Sequence, residues 1–99
     1  MDLPIEIDVE QITAFCKTRH LTKLAFFGSV LTDRFGPDSD VDVLFEYDSK
    51  HVPTLFDVAA MERELSGILG RKADMRTPKD RSRYFRDEVV RKALVQYAA

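Results

Sequence analysis

Apolar and polar positions alternate along this chain with two periods, and the switches between them mark its elements. Residues 8–20, DVEQITAFCKTRH, set Val9, Ile12, Phe15 and Cys16 at helical spacing, with Asp8 as the cap and Gln11 as its reciprocal partner three residues on. KLAFFG, residues 23–28, is a short apolar run ending in glycine and predicts a buried strand. SVLTDRF (29–35) predicts one or two helical turns, and GPDSD (36–40) a loop. VDVLFEY (41–47) predicts a second strand. TLFDVAAMERELSGILG (54–70) carries the strongest helical signal, with Leu55, Val58, Met61, Leu65 and Ile68 in phase and Gly70 suited to the stop. KADMR (72–76) predicts a short third strand, and TPKDRSR (77–83) a polar loop. YFRDEVVRKALVQYA (84–98) predicts a final helix with Phe85, Val89, Ala93, Leu94 and Tyr97 facing inward. The order is α-β-α-β-α-β-α, an α+β (α/β) fold with a small three-stranded sheet and helices mainly on one face.

Composition narrows this further. Ninety-nine residues, with no repeat, linker or low-complexity segment, fit one domain over 1–99 with one modest core. The formal net charge of −2 does not draw the chain non-specifically onto nucleic acid, so no direct nucleic-acid partner is expected. A nucleotide whose phosphates are screened by a metal remains compatible with that charge. The single cysteine, Cys16, excludes a disulfide framework within the chain, points to a cytoplasmic setting, and sits where a buried structural thiol is expected. No apolar run reaches membrane-spanning length and the N-terminus is acidic, so no signal peptide or membrane partner is expected.

The candidate chemistry lies between the first two strands. In an extended strand alternate side chains share a face, so Val41, Val43 and Phe45 point to the core and Asp42 points away, with Asp40 beside it at the strand's start. Two strand residues span roughly 6.6–7 Å, a spacing at which two carboxylates can converge on one cation or bridge a pair. Oxygen-only ligands select a hard metal, Mg2+ first and Mn2+ second. Upstream, Gly28 and Ser29 stand where a strand passes into an expected helix start, whose free N–H groups suit a phosphate. Glycine allows close approach, and the Ser29 hydroxyl adds a hydrogen bond. Asp74, alternating with Ala73 and Met75, joins these acids if the third strand lies beside the second. There it would complete the metal shell or accept a proton from an attacking hydroxyl. Gly-Ser alone is usually a turn, and each acid alone is ordinary; the combination over fifteen residues is what carries meaning.

FGSVLTDRFGPDSDVDVLFEY resembles the signature of the minimal nucleotidyltransferases, small members of the DNA polymerase β-like superfamily. MERELSGILGRKADMRTP and YFRDEVVRKALVQYA resemble their central helix, third strand and final helix, so the resemblance spans nearly the whole chain. It implies a small nucleotidyltransferase fold with a mixed sheet. It further implies that Gly28 and Ser29 bind nucleotide phosphate, that Asp40 and Asp42 are paired metal ligands, and that Asp74 is the third acid, catalytic and metal-binding. Many relatives carry an arginine four residues after the glycine; here that position is Thr32, and Arg34 is the candidate replacement in nucleotide binding.

About ninety residues of nucleotide-binding domain leave little protein for an acceptor pocket, so the acceptor is expected to be a partner protein. The resemblance implies ATP as substrate and a HEPN-type ribonuclease toxin as partner, inactivated when AMP is transferred to one of its tyrosines. Two alternatives stay open: an antitoxin that only binds, and a subunit that modifies a small molecule such as an aminoglycoside. His20 and His51 are read as surface or capping residues, and Tyr47, Tyr84 and Tyr97 as packing residues. Lys79, Arg81, Arg83 and Arg86 form either a solvated basic stretch or a contact for an acidic partner or nucleotide phosphate.

Overall fold

The computed structural model describes residues 3–77 and 92–99. Helix α1 runs Val9–Thr18 and strand β1 Leu21–Phe27, followed by a 3-10 turn, Gly28–Leu31. Then come β2 (Val41–Tyr47), α2 (Leu55–Leu69), β3 (Ala73–Arg76) and β4 (Leu94–Ala98). The sheet has the order β3-β2-β1-β4. β1 is antiparallel to both β2 and β4, and β2 is parallel to β3, so the sheet is mixed. The parallel pair requires a crossover, which α2 provides.

The helix boundaries follow from local chemistry. Asp8 accepts the Gln11 N–H at 3.1 Å and starts α1. Thr54 and Asp57 form a reciprocal capping box at the start of α2, with bonds of 3.1 and 2.9 Å. The Thr54 backbone N–H, and then its side chain, hold the Asp57 carboxyl below its ordinary pKa. Gly70 ends α2 in the left-handed conformation, φ 69°.

Both helices pack on one face of the sheet. Ile12, Phe15 and Cys16 from α1 and Met61, Leu65 and Leu69 from α2 meet Leu24, Phe26, Val41, Val43, Phe45, Ala73 and Met75 in the main core. A second, smaller cluster on the opposite face joins Ala25, Phe27 and Leu44, with Ala93 against it. Burial pushes the Cys16 thiol up to about 12.

Three sequence expectations are corrected. Among the described residues the sheet has four strands, not three, because Leu94–Ala98 is a strand rather than the end of a helix. β1 is buried along almost its whole length, so its backbone groups need partners on both edges; β4 supplies them on the side away from β2. Tyr97, set opposite Leu24, still packs toward the main core as expected. The predicted helical turns at 29–35 shrink to a single 3-10 turn. Val9 and Leu55, placed on apolar helix faces by period, are 63% and 88% exposed, and each occupies the first position of its helix. The predicted loop and helix at residues 78–91, with Lys79, Arg81, Arg83, Tyr84, Phe85, Arg86 and Val89, lie outside the described residues.

Candidate active site

Alternation along the strands sends Asp42 and Asp74 to the sheet face opposite the helices, since Val41, Val43, Ala73 and Met75 fill the core. In the parallel ladder Asp42 stands directly opposite Asp74. On its other side Asp42 faces Phe27 of β1, the residue before Gly28. The three segments singled out by sequence thus meet at one end of the sheet.

Gly28 is fitted to this meeting in two ways. Its φ is +76°, a conformation that side chains rarely adopt. A Cβ built on it would lie 3.2 Å from Asp42 Cγ and run into Asp42 Oδ2. Any other residue would displace the carboxylate. Ser29 follows in the 3-10 turn, half-buried. That turn is too short to supply a helix dipole, so any grip on phosphate rests on individual backbone N–H groups and the hydroxyl. Thr32 closes the turn: its N–H and its hydroxyl both donate to the Ser29 carbonyl, each at 2.9 Å. The Thr32 hydroxyl also accepts the Arg34 N–H at 3.2 Å. Threonine at this position therefore shapes the backbone beside Gly28, and Arg34 stands exposed after it.

The electrostatics follow from the clustering. Partial burial pushes the Asp42 carboxyl above its ordinary range, and the charges of Asp74 and Asp40 push it further, with Arg76 pulling it back. Arg76 reaches Asp74 at 3.4 Å across an exposed surface. Among the described residues no set of three or more His, Cys, Asp or Glu is gathered as a ready-made metal cage. An Asp42 carboxylate whose proton affinity is raised beside two further acids still fits a hard divalent cation, whose remaining ligands would be phosphate oxygens and water.

Sequence reasoning did not find the residues that hold β3 in place. The Ala73 and Met75 N–H groups donate to Ser66 Oγ at 2.9 Å and Glu62 Oε2 at 2.7 Å. Two α2 side chains thereby cover backbone donors of a strand that, among the described residues, has one hydrogen-bonded neighbour, and help fix the register that sets Asp74 opposite Asp42. The only sequence signal was their polarity on an otherwise apolar helix face. Nor did sequence pair the two histidines, whose rings stack at 3.7 Å at the far end of β2. A hollow of about 280 Å³ beside them, lined by Arg19, Val52, Pro53 and Asp57, is remote from the acids. The acids are half-buried, on the sheet face opposite the helices.

The model of the nucleotidyltransferase domain family matches residues 9–97. This chain belongs to that family. A solved structure assigned as a minimal nucleotidyltransferase is 28% identical, with a TM-score of 0.70 over 87% of this chain and 86% of that one. A toxin–antitoxin complex with AMP-PNP superposes with a TM-score of 0.74 at 15% identity, covering 94% of this chain and 75% of its counterpart. The MntA–HpeT toxin–antitoxin complex, carrying two Asp-to-Glu changes, does so at 0.72 and 13%, with the same coverage. At such identities these two likenesses establish the shared fold. No curated protein matches the chain in sequence. No helix among the described residues is long and apolar enough to cross a membrane.

Proposed function

We propose that this single-domain chain is the antitoxin of a toxin–antitoxin pair, and that it transfers AMP from ATP to a tyrosine of a HEPN-type ribonuclease toxin. The observation that carries the reading is the register of Asp42 against Asp74 beside the close approach of Gly28. Family membership supports nucleotidyl transfer as the chemistry. The AMP-PNP in one structural neighbour supports a nucleotide substrate, and the paired Asp-to-Glu changes in another fall two residues apart, as Asp40 and Asp42 do. Both neighbours are toxin–antitoxin complexes, which supports a protein acceptor.

In this reading Asp40 and Asp42, with Asp74 at the rim, would hold Mg2+ or Mn2+, which would supply positive charge to offset that of the phosphates. The Gly28 N–H and the Ser29 hydroxyl grip the outer phosphates. Arg34 adds positive charge toward the same end. Asp74 orients the tyrosine hydroxyl and accepts its proton. The phenolic oxygen then forms a bond to the α-phosphorus as the α–β bridging bond breaks, and pyrophosphate leaves with the electron pair. Holding the two substrates in line is most of the catalysis, since preorganised charge and orientation do the rest.

Incubation with ATP labelled at the α-phosphate and Mg2+, with and without a co-expressed partner, tests this. Label on a partner tyrosine is the expected result. Neutralisation of the partner without label would replace the reading with a binding antitoxin, and label on an added aminoglycoside would replace it with small-molecule modification.

A further inference from the structure

We propose that Arg71 is the positioning residue for Asp40, a role that rests on reading the acid face as the metal and nucleotide site. Asp40 follows a loop, residues 36–39, and has no strand ladder of its own to hold it. The loop ties itself into one turn: the Gly36 N–H donates to Ser39 Oγ at 2.9 Å, and the Ser39 N–H donates to the Gly36 carbonyl at 3.1 Å. That leaves the Ser39 carbonyl, and the second lone pair of the Gly36 carbonyl, open to a further donor. Arg71 provides both from one nitrogen: Nη2 donates to Gly36 O at 2.5 Å and to Ser39 O at 2.7 Å. The guanidinium also lies over the Phe35 ring, 4.4 Å from its centre, which fixes its plane.

The next residue completes the clamp. The Lys72 carbonyl accepts the Val41 N–H at 2.7 Å. Asp40 is thus held from both sides, through Ser39 by Arg71 and through Val41 by Lys72. Two residues on from Lys72 stands Asp74, so one short segment sets all three acids relative to one another. Charged hydrogen bonds are the stronger kind, and both N–H groups of Arg71 Nη2 are spent on carbonyls of the loop that leads into Asp40. Arg71 therefore acts through Asp40 rather than on the substrate.

The test is Mn2+ binding to the full chain in the presence of ATP, read by electron paramagnetic resonance. Arg71→Ala is expected to weaken Mn2+ binding about 10–100-fold, the usual effect of losing a residue that orients a metal ligand. Arg71→Lys, which keeps donors enough for both carbonyls but not the stacked plane, is expected to fall between wild type and Arg71→Ala. Millimolar guanidinium chloride should restore Arg71→Ala toward wild type. A merely structural role would lower the unfolding temperature and leave Mn2+ affinity intact, as the core substitution Ile12→Val should do. Wild-type affinity in a folded Arg71→Ala overturns the proposal; should that variant not fold, unchanged affinity in Arg71→Gln overturns it. Absence of Mn2+ binding by the wild-type chain overturns the metal-site reading itself, and this role with it.

Discussion

The two faces of β2 obey different demands. Toward the helices, Val41, Val43 and Phe45 are at most 1% exposed and lock into a core shared with α1, α2 and three strands. Toward the open side, Asp42 is only half-buried, its carboxyl resists ionisation, and it crowds Gly28, Asp40 and Asp74. One face gains stability from every residue on it. The other keeps an arrangement that works against stability, and the core opposite is what makes that arrangement tolerable. A strand seven residues long thus sets its main-core residues and its acid on opposite faces by alternation, although Leu44 on the acid's face is itself buried in the smaller cluster.

The largest effect is expected on the core side. Phe45→Ala removes a buried ring and should cost about 3–5 kcal/mol of folding stability, measurable by urea denaturation. A cost under 1 kcal/mol would mean that this face is not the stabilising one. On the open side, Asp74→Asn should leave the unfolding transition nearly in place while lowering the single-turnover rate of AMP transfer about 10²–10⁴-fold, the value of general-base assistance. Calorimetry on the same variant should show that much of the Mg·ATP affinity survives. Complete loss of ATP binding would make Asp74 a principal metal ligand and move the base to the partner.

Ser29→Ala should be milder. One hydrogen bond to a charged phosphate is worth about 1.5–3 kcal/mol, so the ATP concentration for half-maximal transfer should rise roughly tenfold or more. An unchanged requirement would leave Ser29 as a turn residue only. The smallest effect is the one that tests the contrast between faces in the opposite direction. The raised pKa of Asp42 means that the native state holds its proton more tightly than the unfolded chain does. Its favourable contribution is present below the ordinary carboxylate range and is lost as pH rises through the raised value. Asp42→Asn should therefore unfold at a slightly higher temperature than wild type at pH 7, and the two should converge as pH falls below about 3.9. A variant less stable than wild type at pH 7 would show that the carboxylate is a structural asset.

Local chemistry made much of this legible in advance. Asp8, Thr54 and Gly70 bound their helices through contacts with residues three or four positions away, and alternation in VDVLFEY assigned Asp42 to the open face. The pairing of β3 beside β2 was a condition of the site reading, and the register sets Asp74 opposite Asp42. What sequence could not supply depends on distant partners. LVQYA reads as helix until the unpaired edge of β1 is considered, and that edge lies some seventy residues upstream. Glu62, Ser66 and Arg71 look like ordinary polar residues because their partners, the backbones of β3 and of the loop before Asp40, become neighbours only when the crossover closes.

The most direct test of the central claim is transfer of label from α-labelled ATP to the co-expressed partner by the Asp40→Asn/Asp42→Asn double variant, with wild-type protein alongside. Removing both carboxylates forfeits the charge that would hold metal and phosphate together, so the predicted result is a labelled partner with wild type and none above background with the double variant. Labelling by the double variant at the wild-type rate would contradict the assignment of the open face as the site of nucleotidyl transfer.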